Sequence, residues 1–170
     1  MTHTISVLVE NKPGALARVS NMFARRGFNI ESLAVGPTER HDVSRITLCV
    51  ECSPGSLEQI EKQMHKLVNV LRVSTLEAGE AVERELALVK VSAPPSRRAE
   101  LMALADVFNA RVADLGPEAI VFEVVGTPEQ LESFEELVSP HGVMELARTG
   151  RIGLARASAG RAPRPQHVLR

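Results

Sequence analysis

The sequence predicts an α+β protein built of two small units, each repeating the order β-α-β-β-α-β. Three observations carry this. Short runs of residues alternate apolar and polar with a period of two, the runs between them place apolar residues at helical spacing, and glycine or proline marks most junctions. The whole order occurs twice in 170 residues, on either side of a polar stretch that contains glycine.

In the first unit, Ile5, Val7 and Val9 alternate along a strand from about residue 3 to 10. Asn11-Lys-Pro-Gly14 turns the chain. The following helix has Leu16, Val19 and Phe23 on its apolar face and Arg18, Arg25 and Arg26 outward. Gly27 suits the helix stop, where positive φ is cheap only for glycine. A second strand is expected from Phe28 to Val35, ending at Gly36-Pro37, then a hairpin loop over 38–43 and a third strand over 44–52. Ser53-Pro54-Gly55 breaks that strand. A helix with Leu57, Ile60, Met64, Leu67 and Val68 inward leads to a fourth strand over 71–76.

The second unit starts with a strand over 85–91, and Ala93-Pro94-Pro95 turns. Ser96 is placed to cap a helix carrying Leu101, Leu104 and Phe108. Strands over 112–115 and 119–125 flank Gly116-Pro117. Thr127 caps a last helix with Pro128 at its first position and Leu131, Phe134 and Leu137 inward. Residues 143–147 close the unit. This is the ferredoxin-like plan, two crossover helices on one face of a four-stranded antiparallel sheet. The predicted organisation is a first unit over 1–78, a linker over 79–83, a second unit over 84–150, and a tail over 151–170. The tail holds Arg, Ala, Gly and Pro without an acidic residue and is expected to be mostly disordered.

Composition excludes several function classes. A formal charge of −1 provides no field for nucleic acid or anionic membrane. Aromatics are 3% of the chain, too few to supply base-stacking platforms. No apolar run approaches the roughly 18 residues of a membrane span, and no signal-peptide pattern precedes the first strand. A cytoplasmic protein is expected.

The candidate site begins at Lys12-Pro13-Gly14-Ala15. Proline followed by glycine fits a type II turn, expected to leave the N–H groups of Gly14, Ala15 and Leu16 free at a helix start. Such a start suits a small anion, for instance the carboxylate of an amino acid. Asn11 offers an amide donor and an acceptor beside it. The same residues also make an ordinary strand-to-helix turn. Asn29 and Ile30 tip the balance, because the second strand is an edge strand in this topology. An unpaired edge invites a second copy, and that pairing would bring the turn of one copy towards Asn29 and Ile30 of the other.

These residues carry a resemblance. Val9-Glu-Asn-Lys-Pro-Gly-Ala-Leu-Ala-Arg-Val is similar to the opening of an ACT domain, an amino-acid-sensing module. Arg26-Gly-Phe-Asn-Ile-Glu-Ser-Leu-Ala-Val-Gly-Pro-Thr, Ser44-Arg-Ile-Thr and Gln59-Ile-Glu-Lys-Gln-Met-His-Lys-Leu-Val-Asn-Val resemble the small regulatory subunit of acetolactate (acetohydroxyacid) synthase. Arg84-Glu-Leu-Ala-Leu-Val-Lys-Val and Glu145-Leu-Ala-Arg-Thr-Gly extend the likeness across about 4–156. The resemblance implies a non-catalytic partner of a large catalytic subunit that makes precursors of valine, leucine and isoleucine. It implies activation of that subunit and feedback inhibition by valine. Thiamine diphosphate, Mg and FAD are then expected only in the catalytic partner, and no cofactor or metal in this chain. The residues implied for valine are Asn11, Gly14, Ala15, Leu16, Asn29 and Ile30, in a homodimer joined through the edge strands. An ACT-type sensor serving another enzyme or a transcription factor stays open as the alternative.

Rival chemistries are poorly supplied. Cys49 and Cys52 lie three apart, so in a strand their thiols point to opposite faces, and no second pair completes a zinc site. The five histidines show no metal-ligand spacing, and the carboxylates show no isolated acid–base pair. The third strand lacks the aromatics an RNA recognition motif needs, and no room for a helix-turn-helix precedes Ile5.

Overall fold

The computed structural model describes residues 1–158. The chain divides into two units, 1–83 together with the segment from Arg151 onward, and 84–150. In the first unit β1 (Thr2–Glu10), α1 (Ala15–Arg26), β2 (Ser32–Pro37), β3 (Val43–Glu51), α2 (Pro54–Met64) and β4 (Val70–Leu76) form an antiparallel sheet in the order β2-β3-β1-β4. In the second, β5 (Ala81–Ser92), α3 (Arg98–Val107), β6 (Arg111–Leu115), β7 (Ala119–Gly126), α4 (Pro128–Val138) and β8 (Val143–Arg148) give the equivalent order β6-β7-β5-β8. Each unit is therefore the expected β-α-β-β-α-β plan.

Each sheet has one face closed by its two helices. In the first unit Ile5, Val7 and Val9 of β1 and Ile46, Leu48 and Val50 of β3 meet Ala15, Val19, Met22 and Phe23 of α1 and Ile60 and Met64 of α2. In the second, Ala87, Val89 and Val91 pack with Ile120, Phe122 and Val124 under Leu101, Leu131, Phe134 and Val138. Phe134 stands edge-on to both Phe108 and Phe122, at centroid distances of 5.5 and 5.8 Å.

Local chemistry explains the helix ends. The Gln130 N–H donates to Thr127 Oγ1 and the Thr127 N–H to Gln130 Oε1, so two otherwise orphaned donors are satisfied at the start of α4. Gly27 ends α1 at φ 69°, as its position suggested.

Several expectations require correction. The second strand starts at Ser32, not Phe28, because Phe28 and Ile30 fold inward against the first core and leave the strand line. Helix α1 buries Ala15 and Met22, whereas Leu16 stays 39% exposed. Helix α2 stops at Met64, so Val68 lies beyond it and is 81% exposed. On α4 it is Val138 that is buried, while Leu137 is 46% exposed. Ser96 does not cap a helix; it lies in a 3-10 turn over 95–97, and α3 starts at Arg98 without a side-chain cap. Most of the expected linker is already strand, since β5 begins at Ala81.

The largest correction concerns the tail. Ile152–Ala155 form a strand, β9, that pairs with β5 and belongs to the first unit. Gly153 lies against Leu76 and Glu83, where any larger side chain would meet Leu76. The Arg151 guanidinium donates to Thr4 Oγ1 at 3.2 Å and pairs with Glu83 at 3.4 Å. Arg156 Nε donates to the Gly79 carbonyl and its N–H to the Glu80 carbonyl, both at 2.8 Å. These bonds hold in place a segment whose composition alone reads as disordered. The remainder of the expected tail, 159–170, lies outside the described residues.

Candidate functional site

The turn between β1 and α1 is built from the chemistry of two residues. Pro13 sets φ, and Gly14 adopts φ 83°, ψ −6°, the left-handed geometry of the third residue in a type II turn. The Ala15 N–H closes the turn on the Lys12 carbonyl at 3.2 Å, and the Gly14 carbonyl accepts the first helical bond, from Arg18 N–H at 3.0 Å. One expectation is thereby corrected: the Ala15 N–H is spent in the turn and its side chain is buried in the core. Among the described residues no backbone carbonyl accepts from the N–H of Gly14 or Leu16. These two donors remain at the helix start, with the helix dipole behind them. A Cβ placed on Gly14 would meet nothing within 4 Å, so the space over the turn is open.

Asn11 is fixed by the hairpin loop between β2 and β3. Its N–H donates to the Asp42 carbonyl at 2.8 Å and its Nδ2 to the His41 carbonyl at 3.1 Å. A carbonyl can only accept, so the side-chain atom facing His41 must be the amide nitrogen. That leaves Oδ1 as the acceptor the residue can offer. The loop is stiffened by Arg40, whose guanidinium binds both oxygens of Asp42 at 3.2 and 2.6 Å. On the other flank the Asn69 amide donates to Glu10 at 2.8 Å, while Lys12 pairs with the same carboxylate at 3.2 Å. Those two hydrogen bonds, the Asn69 one foremost, hold the Glu10 carboxyl below its ordinary pKa. Sequence reasoning missed His41, Asp42 and Asn69 here, because they are contributed by backbone carbonyls and a loop far along the chain.

Asn29 and Ile30 are elsewhere. They lie in the connection from α1 to β2, Asn29 exposed and Ile30 half-buried against the core. Pro37 pairs with Ser44 at the end of the sheet that carries the turn, whereas Ser32 pairs with Cys49 at the opposite end. The six residues of β2 therefore separate the two groups by about 20 Å at roughly 3.3 Å per residue. The single chain brings Asn11, Gly14 and Leu16 together, but not Asn29 and Ile30.

Other candidate chemistry stays dispersed. Cys49 is buried and Cys52 half-buried, both as free thiols, and burial pushes the Cys52 thiol up. Among the described residues no three His, Cys, Asp or Glu side chains are grouped as a metal would require, and no helix is long and apolar enough to cross a membrane.

Comparison with known proteins covers both units. Residues 5–72 match the family model for the AHAS small subunit-like ACT domain, and residues 84–157 match that for the small subunit of acetolactate synthase. The chain is 47% identical to the acetolactate synthase small subunit of Mycolicibacterium smegmatis over 94% of each chain. It is 48% identical to a probable acetolactate synthase small subunit of Archaeoglobus fulgidus, over 93% of this chain and 99% of that one. The crystal structure of the acetolactate synthase small subunit from Thermotoga maritima superposes with a TM-score of 0.85 at 39% identity, over 92% of this chain and 98% of that chain.

Proposed function

The chain belongs to the acetolactate synthase small-subunit family, and on that premise we propose that it is the regulatory subunit that activates the large catalytic subunit and makes it sensitive to valine. The chain itself performs no catalysis on this reading, and thiamine diphosphate, Mg and FAD belong to the large subunit, in the cytoplasm. The observation that carries the proposal is the position of the two half-sites at opposite ends of an edge strand. When two β2 strands pair antiparallel across a two-fold axis, the Pro37 end of one lies beside the Ser32 end of the other. The Gly14 turn of one copy then approaches Asn29 and Ile30 of its partner. Each homodimer has two such seams.

In each seam the ligand's carboxylate takes the N–H groups of Gly14 and Leu16. Its ammonium takes amide oxygens, those of Asn11 and Asn29 being in reach, and its isopropyl group packs near Ile30. Burying that group contributes about 1.5–3 kcal/mol. One methylene more or less changes affinity by about 1–3 kcal/mol, so isoleucine and leucine are the natural competitors. Inhibition follows if valine binds the inhibited arrangement of the complex more tightly than the active one.

The test is the thermal midpoint of the chain, alone and with its large subunit, against a panel of free amino acids. Valine at about 100 times its dissociation constant adds roughly 2.7 kcal/mol and raises the midpoint by several degrees. Gly14→Asp places a carboxylate where the ligand's would lie, in space that is open, and should abolish both the shift and feedback inhibition. Gly14→Asn carries the same backbone strain without the charge and should retain part of the shift. Valine inhibition that survives Gly14→Asp would refute the site.

A further inference from the structure

The two units enter their first helices through the same backbone frame. In the first unit the Glu10 N–H donates to the Asn69 carbonyl at 2.8 Å, the Asn11 N–H to that of Asp42 at 2.8 Å and the Ala15 N–H to that of Lys12 at 3.2 Å. In the second the Ser92 N–H donates to the Gly142 carbonyl at 2.9 Å, the Ala93 N–H to that of Glu118 at 2.8 Å and the Arg97 N–H to that of Pro94 at 2.9 Å. Asn69 and Gly142 each precede the last strand of the repeated plan, and Asp42 and Glu118 each precede its third. One offset in sequence relates the three donors, so Asn11 corresponds to Ala93, Gly14 to Ser96 and Leu16 to Arg98. The second unit therefore contains a counterpart of the candidate amino-acid site.

Each residue that gives the first site its chemistry is replaced there. Ala93 has no side-chain amide to do what Asn11 does. Ser96 lies in a 3-10 turn, whereas Gly14 takes a positive φ and leaves the space above it open. Arg98 turns its guanidinium onto three carbonyls. Its Nε donates to that of Ala93 at 3.1 Å, and its Nη2 donates to those of Gly116, at 2.8 Å, and Pro117. Pro117 precedes Glu118 as His41 precedes Asp42, and the His41 carbonyl is the one that Asn11 Nδ2 holds. A cation thus stands where the first unit has a neutral amide. The planar fork suits this position, because its N–H groups diverge towards separate acceptors as the donors of a compact ammonium do not. Hydrogen bonds from a charged donor are also about twice as strong as neutral ones.

We propose that the carbonyls of Ala93, Gly116 and Pro117 form a guanidinium-binding cage kept closed by the chain's own Arg98, and that amino-acid sensing is thereby confined to the first unit. The confinement rests on the functional reading above; the cage does not. With its loop carbonyls engaged and no amide at position 93, the second unit has no group to orient the ammonium of a free amino acid. Arg98 holds the turn in one arrangement whether or not amino acid is present, so a ligand-driven change starts in the first unit alone.

Arg98→Ala in the full chain empties the cage. The amides of Val89 and Phe122 should then exchange about 10- to 100-fold faster, the range expected when hydrogen bonds to a charged group are lost, while those of Val7 and Ile46 keep their rates. Methylguanidinium chloride at millimolar concentration should restore most of that protection, sodium chloride at the same concentration should not, and the wild type should respond to neither. Arg98→Gln keeps a neutral donor for the loop and guards against loss of the fold; it should lose less protection and recover part of it in methylguanidinium. Titration calorimetry should give one valine per chain for the wild type and for both variants. Protection that is unchanged in Arg98→Ala, or lost without recovery in methylguanidinium, overturns the cage. A second valine bound per wild-type chain overturns the confinement. A wild type that binds no valine overturns the functional reading and the confinement with it, while recovery in methylguanidinium still upholds the cage.

Discussion

Arg148→Ala should destabilise the second unit far more than an exposed arginine ever could. Arg148 grips Glu85 with two parallel bonds, Nε to Oε1 and Nη2 to Oε2, both at 2.9 Å, and reaches Glu135 at 3.4 Å. The Glu85 side chain is only 6% exposed, against 29% for Arg148. Removing one partner of a buried pair costs about 3–5 kcal/mol. The exposed flank of Arg148 lets water reach the stranded carboxylate, which lowers the expectation to about 2–3 kcal/mol. A domain of this size is stable by only about 3–10 kcal/mol, so the loss is a large share. Hydrogen exchange resolves it: amides of Val89 and Phe122 in the second core should lose that amount of protection, while those of Val7 and Ile46 in the first do not change. Glu85→Leu should cost less, because the arginine it frees is already partly in water, and the double change Glu85→Leu/Arg148→Met should recover most of the loss. The Glu85 hydrogen bonds hold the Arg148 pKa above its ordinary value. A raised pKa contributes stability fully below the unfolded value and loses it only as pH rises through the folded one. From about pH 6 to 9 the difference between variant and wild type should therefore be constant. A loss under 0.5 kcal/mol, or equal losses from Arg148→Ala and Glu85→Leu, would refute this account.

Phe134→Ala removes a fully buried ring that two other rings contact edge-on and should cost about 3–5 kcal/mol, read as the urea midpoint of the second unit's transition. Carbon-detected titration should place the Glu10 carboxyl below its ordinary value, and Asn69→Ala should return it most of the way. Stability from this lowered pKa is present above the unfolded value and is lost as pH falls through the folded one, so the difference should vanish in acid. Ending the chain after Gly150 removes β9 and Arg151, and should make Cys49, now 3% exposed, react with a thiol reagent; in the full chain only Cys52 should react at a measurable rate.

What could be read from the sequence was what local chemistry decides. Lys12-Pro13-Gly14 declares a type II turn because proline and glycine each fix a dihedral, and Thr127-Pro128 with Gln130 declares a helix start. Alternation of Ile5, Val7 and Val9 gave the helix-covered face of the sheet and hence the fold order. The same alternation misled at Phe28 and Ile30, where two apolar residues spaced by two point inward from an irregular connection as readily as from a strand. Alternation left the other face of that sheet to be covered by something it did not name, and Thr4, Ser6 and Thr47 on that face are buried. Arg151, next to β9, bonds to Thr4 from 147 residues away, Gly153 of β9 lies against Leu76 and Glu83, and Arg45 bonds to Ser6, contacts that carry no local sequence signal. The site divided in the same way: the turn was legible, while the carbonyls of His41 and Asp42 that orient Asn11 carry no sequence signal.

On the proposed function, the distance between the half-sites makes sensing and assembly a single equilibrium. The six residues of β2 separate the two groups by about 20 Å, so a ligand of amino-acid size would contact both only if a second copy supplied one of them. A monomer then offers only half the contacts, and ligand binds the dimer in preference. Two sites, each contributing about 2.7 kcal/mol at 100 times the dissociation constant, tighten the dimer by about ten-thousand-fold. Regulation on this reading needs no long pathway within the chain. On the proposed function valine would act by closing a seam between two copies, and its grip should weaken as the protein is diluted below its dimer dissociation constant. A monomer that held valine as tightly as the dimer would place the whole site within one copy, and Asn29 and Ile30 outside it.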